Sequence, residues 1–307
     1  MKKLLAILLT VVMLFSVVAC ADKNQQDKND DDKYRDNTVI VDSTTVGTDT
    51  FHFTNVDSET VIIDKFTTTL DKAHEVKLPA YLFVPGNEIE KEPDKYLRVV
   101  GVGKEAFLNS SSISSLVFPT EADYKEHDAN FDISTHSFVI GDYAFRECVA
   151  LQSLTLPAYV TEVGVGAFFG CVALGTLNFE TGSRLSVIKD WAFMDCTALV
   201  TVEFPATVQS IGVAAFFECL SLETVIINEG TLTIGAQAFE NCEALAQLRL
   251  PASLESIGKY AFQCADPEND GRALYKDGLI YSGDSDVIKT YISSLALEDR
   301  PVEDPAE

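Results

Sequence analysis

The dipeptide Ala-Phe recurs at Ala106, Ala144, Ala167, Ala192, Ala215, Ala238 and Ala261, with successive spacings of 38, 23, 25, 23, 23 and 23 residues. A fixed period of this length restricts a chain to stacked copies of one supersecondary unit. Four positions after the Ala stands Cys148, Cys171, Cys196, Cys219 or Cys242, and seven after it Leu151, Leu174, Leu199, Leu222 or Leu245. A hydrophobic-x-hydrophobic triplet follows, as in Leu154-Thr155-Leu156 and Val202-Glu203-Phe204. Each unit then runs to an Ile-Gly or Val-Gly before the next Ala-Phe; one has Ile188-Lys189 instead.

Elementary geometry assigns roles within a unit. Ala, Cys and Leu at i, i+4 and i+7 share one face of a helical turn. The triplet alternates in, out, in, as a short strand does. The Gly allows a tight turn. A single unit leaves most of its apolar side exposed and cannot fold alone, whereas stacked units close a continuous core. The expected architecture is therefore an α/β solenoid, with a parallel sheet on one face, short helical turns on the other and β-rich caps.

The runs of type I-G-x-x-A-F-x-x-C-x-x-L-x-x-L-x-L-P, such as Ile140 to Pro157, closely resemble the BspA-type leucine-rich repeat family of bacterial surface proteins. The resemblance covers roughly 99 to 265. It implies a surface-displayed, non-catalytic module that binds proteins as an adhesin or scaffold. There are departures: Ser110 replaces Cys in the first unit, Cys264 sits one position early in the last, and about fifteen extra residues fall near Pro119 to Ser137.

Lys2 and Lys3 precede fifteen uncharged residues, Leu4 to Val18, a run too short to span a bilayer comfortably and of signal-peptide length. Val17-Val18-Ala19-Cys20 resembles the bacterial lipobox, which implies cleavage after Ala19 and acylation of Cys20. The organisation reads as signal peptide 1–19, disordered acidic tether 20–37, β-rich region and cap 38–98, repeats 99–265, hairpin cap 266–297 and disordered acidic tail 298–307. Within 38–98, Val76 to Pro79 with Val99 to Gly101 reads as a degenerate first unit. Strand-like runs lie at Thr38 to Asp42, Thr50 to Thr54 and Thr60 to Phe66. Whether they form a separate domain is left open by the sequence. The hairpin is placed at Leu274 to Tyr281.

Acidic residues outnumber basic ones 47 to 23, for a net charge of −24. That excludes nucleic acid and anionic membrane surfaces as partners, since both require clustered Lys and Arg. Contact with membrane is expected through the lipid anchor alone. The seven cysteines, less Cys20, leave an even six in an export route, which would permit disulfides. Their repeat spacing instead places them in a ladder of parallel side chains, and buried free thiols are expected.

No catalytic motif is found, so no enzyme activity and no cofactor are expected. Glu126-His127-Asp128 has metal-ligand residue types but reads as a solvated polar loop, and Asp266 to Gly271 partly mimics a calcium loop but reads as a plain turn. Three binding surfaces remain. The outward triplet residues Thr155, Asn178, Glu203, Ile226 and Arg249 line one sheet face, suited to a host or neighbouring-cell protein or a matrix component. Tyr143, Trp191 and Tyr260, each just before an Ala, could stack on a glycan. The insertion offers Tyr124 and Phe131. A monomer is expected.

Overall fold

The computed structural model describes residues 44–84, 86, 94–265, 272–274, 280–282 and 285–298. All of the described residues belong to one compact unit. The signal peptide, lipobox, tether and acidic tail of the sequence reading lie outside the described residues, apart from Glu298.

The repeats stack as coils. The triplets form a front ladder of parallel strands: Ile113–Val117, Ser153–Leu156, Thr176–Phe179, Thr201–Phe204, Thr224–Ile227 and Gln247–Arg249. The segment ending in Ile-Gly or Val-Gly, read from sequence as a turn, is a strand as well. Phe138–Ile140, Val160–Val163, Val187–Ile188, Ser210–Ile211, Thr233–Ile234 and Ser256–Ile257 pair in parallel as a second, side ladder. Glycine is needed here for close backbone approach rather than for a turn: a Cβ on Gly164 would stand 2.6 Å from the carbonyl carbon of Gly141.

The segments carrying Ala, Cys and Leu are turns but not α-helix. The residue before each Ala has positive φ, and so, in every unit but the last, does the third residue after it, for example Tyr143 at 55° and Glu147 at 58°. No helix propagates through such a pair. The reason is hydrogen bonding between coils. The amides of Tyr143, Phe145 and Glu147 donate to the carbonyls of Val165, Ala167 and Phe169 in the next coil, at 2.7 Å each. The intervening amides of Ala144, Arg146 and Cys148 close i+3 turns within their own coil. The amides from Tyr143 to Cys148 are thus all served without a helix.

Inside, identical positions stack. The rings of Phe145, Phe168, Phe193, Phe216, Phe239 and Phe262 lie within 13° of parallel at centroid steps of 5.1 to 5.3 Å. Cys148, Cys171, Cys196, Cys219 and Cys242 are free and buried, as expected. Each thiol donates to the carbonyl of a Phe in the preceding coil, Cys171 to Phe145 at 3.3 Å for instance. The side chains of Cys264 and Cys20 are not among the described ones.

Both ends are capped. Asp49–Asn55 and Thr60–Thr68 form an antiparallel hairpin, and Thr60–Thr68 runs parallel to Lys95–Val102, which joins the side ladder at Phe138–Ile140. Phe66 stacks on Phe107 at 4.7 Å, so the hairpin continues the phenylalanine column as well as the sheet. The strands beyond Thr44 therefore extend the solenoid rather than forming a separate domain. His74–Lys77 adds to the front ladder beside Ile113–Val117.

The C-terminal end departs from the expected hairpin. Arg272–Leu274 pairs back on Gln263–Ala265, while Ile280–Ser282 extends the front ladder beside Gln247–Arg249. Helix α2, Asp286–Glu298, follows. Its Ile288 is buried, and Tyr291 sits edge-on to Phe262, the last ring of the column, whose amide donates to Tyr291 Oη at 3.1 Å. The exposed end of the column needs apolar cover, and one helical face supplies more of it than a hairpin.

Candidate binding surface

The front-face residues lie where their alternation places them. Thr155 stands beside Asn178, and Glu203 beside Ile226, which stands beside Arg249. Thr155, Asn178, Glu203 and Arg249 are exposed and Ile226 is half-buried, while their neighbours Leu154, Leu177, Val202, Val225 and Leu248 face the core. A second row, Ser153, Thr176, Thr201, Thr224 and Gln247, runs alongside on the same strands.

This face is interrupted, a feature that sequence reasoning missed. Thr176–Phe179 and Thr201–Phe204 share no ladder pairing, so the front ladder is two four-stranded sheets. The side ladder of the same coils is unbroken. The cause lies in the 25-residue spacing: two extra residues in Glu180-Thr181-Gly182-Ser183 carry the chain around the corner, Gly182 at φ 78°. An open groove of about 930 Å³ lies along the seam. The spacing itself was the signal for it.

The three aromatics of the second surface sit on the turn side, each at positive φ (55°, 59° and 62°). Trp191 is 42% exposed. Tyr143 and Tyr260 are half-buried. The Tyr143 ring lies over Gly166, where a Cβ would come within 2.5 Å of it, and Lys259 Nζ sits 4.3 Å above the Tyr260 ring. The structure does not gather these rings at one point; Gly166 occupies the coil between Tyr143 and Trp191.

The aromatics of the insertion, Tyr124 and Phe131, are buried and not displayed. Helix α1, Glu121–Lys125, starts from a Thr120 capping box and drives Tyr124 inward. Tyr124, Phe131 and His136 are buried together, His136 Nε2 lying 3.0 Å from Tyr124 Oη. Burial, reinforced by the nearby charges of Arg98 and Arg184, lowers the His136 pKa to about 4. Arg184, just past the two-residue insertion, donates to the carbonyls of Ile133, Ser134 and His136. The two departures from the 23-residue period are thus tied together. His127 stacks on Tyr96 at 3.6 Å, so its ring is a packing group in the structure.

Burial pushes the Cys148 thiol up to about 12 and raises those of Cys171, Cys196 and Cys219 as well. Such thiols are poor nucleophiles. Asp195 is raised by burial and by Glu218 beside it. Among the described residues, no group of three or more His, Cys, Asp or Glu side chains is arranged to hold a metal.

Comparison with known proteins places this geometry. A family model described as BspA type leucine rich repeat region matches in six copies, over residues 101–228 and 186–269. No curated protein sequence matches the chain. Among solved structures, it is similar to a leucine rich cell surface protein from Faecalibacterium prausnitzii A2-165, at 24% identity and a TM-score of 0.56, over 80% of this chain and 55% of that one. It is also similar to the pneumococcal vaccine antigen PcpA, at 17% identity and a TM-score of 0.47, over 80% and 50%. A leucine rich repeat protein of T. pallidum matches at 23% identity and a TM-score of 0.44, over 80% and 92%. The chain spans about half the length of the first two.

Proposed function

Because the chain belongs to the BspA-type leucine-rich repeat family, we propose that it is a cell-surface lipoprotein whose front sheet face binds a protein partner without catalysing a reaction. The partner class is a host or neighbouring-cell surface protein or a matrix component. One observation carries this reading: Thr155 and Asn178 on one parallel sheet, and Glu203, Ile226 and Arg249 on the next, project from a shared buried apolar core. A pre-ordered surface binds with little further loss of side-chain and backbone entropy. Cys20 supplies the anchor and the acidic stretch after it the tether. The buried, raised thiols and the buried His136 support a non-catalytic role.

The exposure of Trp191 favours a second reading, glycan capture by stacking on the turn side. A combined protein and glycan array probed with the purified chain separates the two. The front-face reading expects a protein ligand whose binding falls with Glu203→Lys and with Arg249→Glu and survives Trp191→Ala and Tyr143→Ala. The opposite pattern replaces it with the glycan reading.

A further inference from the structure

The geometry points to the seam of the front face as a docking groove for an arginine side chain of an extended, basic polypeptide segment. This inference rests on the reading of that face as the binding surface and adds where the partner anchors and by what chemistry.

In a parallel ladder, peptide groups on each strand point alternately to the two neighbours. No backbone hydrogen bond crosses between Thr176–Phe179 and Thr201–Phe204. Amides and carbonyls on the facing edges are therefore available to a ligand. The groove floor holds an aromatic ring. Phe179 is half-exposed, whereas its counterparts Leu156, Phe204, Ile227 and Leu250 in other coils are buried. The two extra residues that open the seam also uncover this ring.

The rim is acidic. Glu203 on one side and Glu180 at the end line the groove, and no Lys or Arg does. Glu203 accepts one long hydrogen bond, 3.4 Å from Asn228 Nδ2, and forms no ion pair among the described residues. The chain as a whole carries −24. Carbonyl oxygens, a carboxylate and a half-exposed ring together match a guanidinium, which has five planar N–H donors and stacks on aromatic faces. An uncharged sugar would use the ring but not the charge. At about 930 Å³ the groove admits such a side chain with its flanking backbone.

The test is fluorescence anisotropy on the intact protein with a labelled heptapeptide, Thr-Val-Thr-Arg-Thr-Val-Thr, and analogues carrying Gln or Glu at the centre. The arginine peptide should bind saturably, one per chain, and the Gln and Glu peptides about tenfold or more weaker, the loss of one charge-assisted contact. Glu203→Gln should weaken the arginine peptide about tenfold. Deleting Thr181 and Gly182 restores the 23-residue period and should abolish binding. Glu121→Gln, at an acid outside the groove that is paired with Lys125, should leave it unchanged.

Absence of binding, equal affinity for the Arg and Gln peptides, or an equal loss in Glu121→Gln would overturn the inference. So would cellotetraose binding that is lost in Phe179→Ala and kept in Glu203→Gln. Should the deletion variant fail to fold, Glu203→Gln and Phe179→Ala carry the test. The underlying reading is judged separately, on the array's protein ligand. Loss with Ile226→Asp and Arg249→Glu but not with Glu203→Gln removes the seam and keeps the face; no loss with any of them removes both.

Discussion

Burial acts on the ladder cysteines and on His136 in opposite chemical directions for one physical reason, the cost of charge away from water. For Cys148, Cys171, Cys196 and Cys219 it disfavours thiolate. Cys148, Cys171, Cys196, Cys219 and Cys242 should be silent to a thiol reagent in the native protein and should react after denaturation without reductant. Failure to react under those conditions would mean disulfides. For His136 burial disfavours the imidazolium. Its folded pKa of about 4 lies below the ordinary 6.5, so between those values the unfolded chain binds a proton that the folded chain does not. Its contribution is fully present above about pH 6.5 and is lost as pH falls toward 4. Urea unfolding should show about 2–3 kcal/mol less stability at pH 4.5 than at pH 7 from this residue, and His136→Gln should remove that part of the slope. The ladder positions of the cysteines were legible from spacing alone. The burial of His136 was not, because its partners Tyr124 and Arg184 are 12 and 48 residues away.

At the scale of elements, the same apolar residue makes different structure according to what its coil neighbours require. Ala, Cys and Leu face inward as their spacing demands, yet the backbone beneath them is a turn ladder bonded from coil to coil. Helical spacing identifies a buried face and not the hydrogen bonds behind it. Helix α2 is the converse case. Val287, Ile288, Tyr291 and Ile292 have helical spacing, within the stretch 266–297 expected from the sequence to be a hairpin cap. Since α2 covers Phe262, Ile288→Ala should cost roughly 2–4 kcal/mol in urea unfolding, while Thr290→Ala, on the exposed side, should stay within about 0.5 kcal/mol. Hydrogen exchange in the Ile288 variant should speed first at Gln263 and last at Phe193, because a solenoid frays from its weakened end. Uniform acceleration would show instead that the coils unfold as one unit.

For the whole molecule, the continuous column of phenylalanine rings from the N-terminal hairpin to α2 is the common axis. It explains why the strands beyond Thr44 belong to the solenoid, with Phe66 as the first stacked ring. The proposed role also needs display at a cell surface. Cells expressing the chain and fed an alkyne-tagged palmitate should label it, Cys20→Ala should abolish labelling, and the variant should shift from the membrane fraction to the soluble one. Retention in the membrane without label would indicate another mode of attachment.

What the sequence determined by itself is the register. Residues repeating at 23 positions must become equivalents stacked about one strand spacing apart, because only that arrangement buries the same apolar side of every unit. From this follow the front ladder, its outward row, the buried cysteines and the family resemblance. The tertiary structure alone decided the rest: the second ladder at Ile-Gly, the closing helix, the buried core of the insertion and the seam beside Glu203. Each depends on how closely coils approach once they are closed. Backbone contact at Gly164, the reach of Arg184 and two surplus residues at a corner are differences of a few ångströms in space, which a one-dimensional period does not encode.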